Sequence, residues 1–260
     1  RAGANNETMT AALGINIRLL RRFVFAVGAC FAGVAGMMIG PLTAVEPGMG
    51  EPLLILSLVV IIIGGIGSVR GAFVAAVMVG LVDTMGRVLL PVILRGFMGQ
   101  AAADGAGPAL ASMMVYILMS LVLVFRPTGL FPPKGSIMDA LKILLDGANR
   151  NRTLFVLLSA FALFPIYTGI ADLPFWNDLA MRIMLLGMAA MGLNLVLGYG
   201  GMVSFGHAAF VGVGAYCVGI SQYYGLYNGW IHIVMALGAC GALGLVIGYL
   251  SLRTSGIYFI

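Results

Sequence analysis

The sequence predicts an all-α protein, a polytopic bundle of about eight transmembrane helices. Of its 260 residues, 61% are hydrophobic and only 9% are charged, whereas a soluble globular chain carries about 25% charged residues. The apolar residues come in long blocks, and an α-helix needs roughly 20 of them to cross the hydrocarbon. The 14 Lys and Arg residues lie mostly between the blocks, as basic loops of membrane proteins do. The excess of basic over acidic residues therefore reflects membrane topology, and we expect no nucleic-acid partner.

Eight apolar blocks can be placed along the chain. They cover residues 23–40, 53–69, 72–94, 109–125, 154–171, 179–197, 208–222 and 230–250. The second and seventh blocks are short and interrupted by glycine, so either could re-enter the membrane rather than span it. A basic stretch separates the fourth block from the fifth. We therefore expect three parts: residues 1–131, a cytoplasmic linker at 132–152, and residues 153–260.

The charged loops give the bundle an orientation. With the arginines before the first block in the cytoplasm, eight crossings place Arg70, the linker and Arg253 on that side as well. The opposite side receives the loop carboxylates, namely Glu46, Glu51, Asp104, Asp172 and Asp178. Arg95 is the one loop cation out of place. Within the linker, Ser136 and Asp139 resemble a capping box, which predicts a short interfacial helix; a loosely ordered connection is the alternative.

Glycines recur inside the blocks at four-residue spacing. Gly36 with Gly40, and Gly244 with Gly248, would let helix backbones approach closely, which favours association in lipid. This is a packing signal that fits any polytopic bundle. The Gly-Gly-Ile-Gly-Ser sequence at 64–68 has neither of the spacings of nucleotide-binding loops. We therefore expect a turn there and no ATP binding by this chain.

A pair of opposite charges lies inside the third block. Asp83 and Arg87 are four residues apart, so they share a helix face and can neutralise each other. Charges within a membrane are costly and often line a pathway, so a structural pair and a pathway-lining pair are equally open. Arg182, near the outer end of its block, could snorkel to the interface. The three cysteines lie in apolar blocks without metal-ligand spacing, so we expect no metal.

Ser204 and His207 lie in a Gly-rich break at residues 199–210. A serine near a histidine suggests an intramembrane hydrolase, but that chemistry also needs an orienting group, and no carboxylate occurs in this stretch. The favoured interpretation is a break in which Ser204 caps the next helix. Together with Asp83 and Arg87, these two residues are candidates for a translocation path.

Several motifs resemble the permease subunits of branched-chain amino acid ABC transporters. The first part, residues 1–131, resembles the C-terminal half of one permease through Ala-Leu-Gly-Ile-Asn at 12–16, Gly-Gly-Ile-Gly-Ser at 64–68 and Phe-Arg-Pro-Thr-Gly-Leu-Phe at 125–131. The part from 153 to 260 resembles the N-terminal half of a partner permease. Its motifs are Gly-Tyr-Gly-Gly at 198–201, Ser-Phe-Gly-His-Ala-Ala-Phe at 204–210 and Leu-Arg-Thr-Ser-Gly-Ile-Tyr-Phe at 252–259.

The order of these motifs is reversed relative to a single permease of the family, in which the Gly-His-Ala-Ala-Phe motif comes first. The order of the motifs therefore predicts that the chain is part of a fused two-permease protein, in which the linker joins the two permeases. It starts without Met and stops within an apolar run, so we expect missing residues at both ends. Each half would then need the remaining part of its own permease domain.

The resemblance implies a transport subunit, not an enzyme, in the inner membrane of a bacterium. Its expected partners are two cytoplasmic ATP-binding subunits, a periplasmic solute-binding protein, the rest of the two permease domains and the lipid bilayer. ATP would bind to the partner subunits, so no cofactor is expected here. The transported solute would be leucine, isoleucine or valine, although relatives also move urea and short amides. A secondary transporter or channel, and a hydrolase, remain alternatives.

The resemblance also implies a region that docks on the ATP-binding subunits. It carries over to Ala11, Ala12, Leu13, Gly14, Ile15, Asn16 and Arg18. At residues 8–10, however, this sequence has Thr-Met-Thr where importers generally have Glu-Ala-Ala.

Overall fold

The computed structural model describes residues 12, 14, 16–97, 99–131, 164, 167–168, 174–202 and 204–251. These residues form seven α-helices and one π-helical turn, with no strand among them. In chain order the helices are α1 (Ile17–Ile39), α2 (Gly50–Gly64), α3 (Val69–Leu94), α4 (Gln100–Phe125), α5 (Pro174–Asn194), α6 (His207–Tyr223) and α7 (Gly229–Ser251). The π-helical turn Leu195–Tyr199 directly continues α5. The predicted all-α bundle is confirmed.

Five of the described helical segments are long and apolar enough to cross a membrane: α1, α3, α4, α5 with its π-helical turn, and α7. The remaining two, α2 with 15 residues and α6 with 17, correspond to the second and seventh apolar blocks. At 1.5 Å per residue they extend only about 22 and 26 Å, less than the roughly 30 Å of hydrocarbon. The fifth block, apart from Phe164, Tyr167 and Thr168, lies outside the described residues, as does the linker with its interfacial helix.

Helix α4 begins nine residues before the predicted block, at Gln100. The added stretch contains a carboxylate and Pro108. The structure places Asp104 in the extension, where its carboxylate accepts a 2.8 Å bond from the guanidinium of Arg95. Asp104 therefore neutralises Arg95, the one loop cation that the predicted orientation left out of place. Both side chains are about half exposed, at 47% and 46%.

The helices before and after the linker form one bundle with a shared core. Helix α1 packs against α5, α6 and α7, and α3 packs against α5. The core includes Phe25 and Val60 from the first part, and Val196 and Phe210 from the second, with the rings of Phe25 and Phe210 edge to face at 5.7 Å. Burial of apolar side chains does not distinguish the two parts. The boundary between them is an extensive packed interface.

Glycine makes this interface possible because backbones touch across it. A Cβ atom on Gly33 would meet Cys240 of α7, and one on Gly36 would overlap the backbone carbonyl of Val211 in α6. Where a Cβ cannot fit, any other residue would push the helices apart.

The other glycines predicted for packing also face a helix across the boundary between the two parts. A Cβ on Gly40 would lie 3.5 Å from the carbonyl oxygen of Ala215, one on Gly244 would lie 2.8 Å from the Cβ of Ala29, and one on Gly248 would lie 3.3 Å from the ring of Phe25.

Candidate translocation site

The two short helices begin at the same place in the bundle. A Cβ on Gly50, the first residue of α2, would overlap the carbonyl of Ala208, the second residue of α6. The Sγ of Cys240 donates a 3.4 Å bond to the carbonyl of Phe210. Cys240 is the twelfth of the 23 residues of α7, a helix of membrane length. The N-termini of α2 and α6 therefore meet near the middle of the membrane.

From this meeting point the two short helices run to opposite sides of the membrane. Helix α2 ends at the turn that leads into α3, on the side that the charged loops assign to the cytoplasm. Helix α6 ends at Tyr223 and Tyr224, beside the aromatic residues Tyr227 and Trp230. Aromatic rings of this kind favour the headgroup level. From the junction each short helix therefore runs to one surface of the membrane, and we call α2 and α6 the two half-helices. Non-helical backbone at 40–49, 200–202 and 204–206 leads to their N-termini.

His207 lies at this junction, as the first residue of α6. Its side chain is only 3% exposed, and its ring packs edge to face against Phe210 at 5.8 Å. Both ring nitrogens are buried without a hydrogen-bond partner among the described residues. The hydroxyl of Ser204 is therefore not paired with His207, so the nucleophile–base contact of a hydrolase is missing.

The prediction that Ser204 caps α6 is wrong. The residue at the N-cap position is Gly206, which has no side chain to accept a hydrogen bond. Ser204 lies two residues earlier and is half-buried. A Ser is a good cap only when it directly precedes the first helical turn. The α6 N-terminus therefore starts without a side-chain cap.

Asp83 and Arg87 form the ion pair that their spacing predicts. The Nε of Arg87 donates to both carboxylate oxygens of Asp83, at 3.0 and 2.9 Å. The Asp83 side chain is 5% exposed, and Arg87 is 36% exposed. Asp83 is the fifteenth residue of the 26 in α3, so this charge also lies near mid-membrane. The geometry satisfies the pair locally and leaves one edge of the arginine accessible.

A second pair joins the first across the interface. Arg182 of α5 donates through Nε to Asp178 at 3.0 Å, and its Nη1 lies 3.9 Å from Asp83. Two carboxylates and two guanidinium groups thus form a neutral cluster between α3 and α5, which lowers the cost of placing charge in hydrocarbon. Sequence reasoning assigned Arg182 to the interface and missed the cluster. The four-residue spacing from Asp178 to Arg182 was the available signal.

Two of the motifs that carry the family resemblance meet at the end of the bundle that the charged loops assign to the cytoplasm. The backbone N–H of Gly67 donates a 2.7 Å bond to the side-chain oxygen of Asn194, which lies just before the π-helical turn. The backbone N–H of Leu130 donates to Ile63 at 2.8 Å. The Gly-rich turn at 64–68 is therefore held between the 125–131 motif on one side and the end of α5 on the other.

Three glycines in this region, Gly65, Gly67 and Gly129, have positive φ. Gly65 has φ +97° and Gly129 has φ +83°, a region that other residues rarely adopt. Sequence reasoning missed Asn194 as the residue that links the two parts. Its position as an amide inside an apolar block was the available signal, but its partner is 127 residues away.

The predicted docking region is partly described. Ala12 is helical, Gly14 lies in a turn with φ +78°, and a Cβ on Gly14 would meet no atom within 4 Å. Asn16 caps α1 by accepting a 3.2 Å bond from the N–H of Leu19. The backbone of Arg18 belongs to α1. The other members of the region, Ala11, Leu13 and Ile15, lie outside the described residues, and docking stays a prediction.

Apolar helices of membrane length, two half-helices that meet inside the bilayer and a buried charge cluster define a multi-pass membrane transport protein. The profile of the family described as "Branched-chain amino acid transport system / permease component" matches residues 1–123 and 176–260. The match covers more than half of the chain. The chain therefore belongs to this family.

Characterised relatives agree with the family assignment. The chain is 31% identical over 131 residues to the "High-affinity branched-chain amino acid transport system permease protein BraD" of Pseudomonas aeruginosa, covering 50% of this chain and 38% of that protein. It is 27% identical over 131 residues to LivH, a protein of the same description from Escherichia coli K12, covering 50% and 37%. The chain thus spans less than two fifths of the length of these relatives. No solved structure matches it.

Proposed function

We propose that this chain forms part of the membrane domain of an ATP-driven importer for branched-chain amino acids, in the inner membrane of a bacterium. The observation that carries the proposal is the family match on both sides of the linker. The partners would be two ATP-binding subunits, a periplasmic solute-binding protein and the remaining permease helices. Relatives named for high-affinity transport of branched-chain amino acids support the choice of solute.

The geometry supports a path at the interface of the two parts. Residues 204–206, the start of α2 and Asp83 all lie at or near mid-membrane, where importers must alternate access. In this proposal Ser204 and His207 line the path beside the half-helix ends, and Asp83, paired with Arg87, holds α3 against α5 through Arg182. Rocking of helices about this level would expose the path first to one side and then to the other.

The reversed order of the motifs supports a fused two-permease protein. In that arrangement the linker at 132–152 joins the end of one permease domain to the start of the next. Extension of the reading frame tests this part of the proposal. A stop codon near residue 135 in the source gene would contradict the fusion while leaving the transport function intact.

Uptake by the complete transporter tests the function. Labelled leucine should enter proteoliposomes only with ATP and the binding protein, and valine should compete where urea and acetamide do not. Uptake that persists without ATP would favour a secondary transporter or a channel instead.

A matched pair of variants tests docking on the ATP-binding subunits. Gly14→Trp should reduce their retention and ATP-driven uptake, because the turn at Gly14 is exposed on the cytoplasmic side. Gly225→Trp is the control, since Gly225 also has positive φ, +79°, and open space around it, but lies between α6 and α7 at the opposite end of the bundle. Equal uptake by the two variants would contradict the docking assignment.

A further inference from the structure

The N-termini of the two half-helices differ from those of helices that start at the cytoplasmic surface. Asn16 caps α1, and Ser68 caps α3 by accepting a 3.0 Å bond from the N–H of Gly71. The N-cap residues of α2 and α6 are Met49 and Gly206, and neither helix has a side-chain cap. The first N–H groups of an α-helix have no partner within the helix. These two uncapped ends meet at mid-membrane; α4, whose N-cap is Gly99, also lacks a side-chain cap but starts at the outer end of the bundle.

Such ends attract negative charge. The aligned peptide dipoles give a helix N-terminus the equivalent of about half a positive charge, and this is strongest where water is excluded. In transporters, broken helices whose N-termini point at the midplane bind anionic groups of the substrate. The segment that leads into α6 is accessible at Phe205, which directly precedes the N-cap and is 51% exposed.

His207 supplies an independent sign of a ligand. The Cα–Cβ bond of a helical residue tilts toward the N-terminus of its helix, so the His207 side chain leaves the backbone toward the uncapped end of α6. Both of its nitrogens are buried and lack a hydrogen-bond partner among the described residues. A buried polar group without a partner costs about 1–3 kcal/mol. A neutral imidazole carries one N–H group, which would donate a hydrogen bond to an anionic oxygen at the helix end.

Glu51 provides the opposite charge. It lies in the first turn of α2, is exposed, and directly follows Gly50, the residue that touches the backbone of α6. One end of the junction is therefore electropositive, at α6 and His207, and the other carries a carboxylate. This pairing matches an amino acid, which has both a carboxylate and an ammonium group.

We infer that the junction of α2 and α6 binds the zwitterionic head of the transported amino acid. The carboxylate lies at the N-terminus of α6 and accepts a hydrogen bond from His207, and the ammonium group lies near Glu51. This inference rests on the proposed function and narrows it. Urea and short amides have no carboxylate, so the junction favours amino acids over them.

Cysteine labelling in the complete transporter, in nanodiscs without the binding protein, tests the inference. Phe205→Cys places a thiol beside the junction, and Tyr223→Cys, at the far end of α6, is the matched reporter. Labelling by a water-soluble thiosulfonate is corrected for the native cysteines. Leucine should slow labelling of the first thiol and leave the second unchanged. Leucinamide, in which an amide replaces the carboxylate, should protect neither.

Substitutions then identify the groups involved. In the Phe205→Cys background, His207→Leu should abolish protection by leucine, and His207→Gln, which keeps an N–H donor, should restore it. His232→Gln is the matched control, because the ring of His232 already lies 2.9 Å from the carbonyl of Leu226. Glu51→Gln should weaken protection by leucine but not by 4-methylpentanoate, which lacks the ammonium group.

The outcomes separate this inference from the proposed function. Equal protection by leucine and leucinamide would overturn carboxylate recognition, and ATP-driven leucine uptake would still stand. An unreactive thiol at residue 205 in a transporter that imports leucine would show that the junction lies off the path. A transporter that imports no branched-chain amino acid would overturn the proposed function, and this inference with it.

Discussion

The hydrogen bond between Gly67 and Asn194 should contribute much of the specific attachment between the two parts of the chain. Its N···O distance is 2.7 Å, the Asn194 side chain is fully buried, and the bond joins the Gly-rich turn to the end of α5. Asn194→Ala removes the acceptor at a site from which water is excluded. Losing one member of a buried hydrogen bond costs about 1–3 kcal/mol, which is roughly a 5- to 150-fold change in an equilibrium constant.

Ser57→Ala is the matched control. Its hydroxyl is also buried and donates a short bond, 2.6 Å, but to the carbonyl of Leu53 in the same helix. That carbonyl keeps its backbone partner after the substitution. Side-chain hydrogen bonds measured in a membrane protein average about 0.6 kcal/mol, so the control should cost less than about 1 kcal/mol.

Thermal unfolding of the purified transporter, followed by tryptophan fluorescence and by size-exclusion chromatography, measures the difference. A chain of this size loses roughly 2–4 °C of Tm per kcal/mol, so Asn194→Ala should lower Tm by several degrees and Ser57→Ala by no more than a few. Equal shifts in Tm for both variants would refute the reasoning. The hydrogen bond between Gly67 and Asn194 would then be no more important than a bond within one helix.

Two further predictions concern the packed interface. Gly36→Ala should reduce the monodisperse fraction in size-exclusion chromatography, because its Cβ would overlap a backbone carbonyl of α6. Gly212→Ala is the control, since Gly212 has open space around it, and it should leave stability unchanged or raise it by up to about 1 kcal/mol. Asp83→Leu should lower Tm more than Asp104→Leu, since an exposed pair contributes about 0–1 kcal/mol. The double substitution Asp83→Leu/Arg87→Leu should recover part of the loss; no recovery would contradict the pairing.

The sequence by itself determined the fold class and the topology of most of the bundle. In lipid every backbone polar group must be satisfied internally, so a long apolar segment has little alternative to a helix. The same local rule identified the two blocks too short to span. It also paired Asp83 with Arg87, because a four-residue spacing defines neighbours on a helix without any knowledge of the rest of the chain.

Sequence reasoning failed where the answer depended on helix ends and on distant partners. Ser204 is a good cap by residue type, but the backbone begins α6 two residues later. Arg182 looked like an interfacial residue because its neighbour on α3 is remote in sequence. Its position beside Asp83 depends on how closely α3 and α5 approach.

Only the tertiary structure placed the start of α2 against the start of α6 and joined Gly67 to Asn194. Local composition sets whether a segment is helical, and the hydrogen bonds that stabilise it lie within that segment. Contacts between helices are set instead by which side chains are absent and by how closely backbones can approach. For that reason the junction, and the charges that face it, could be read only from the packed bundle.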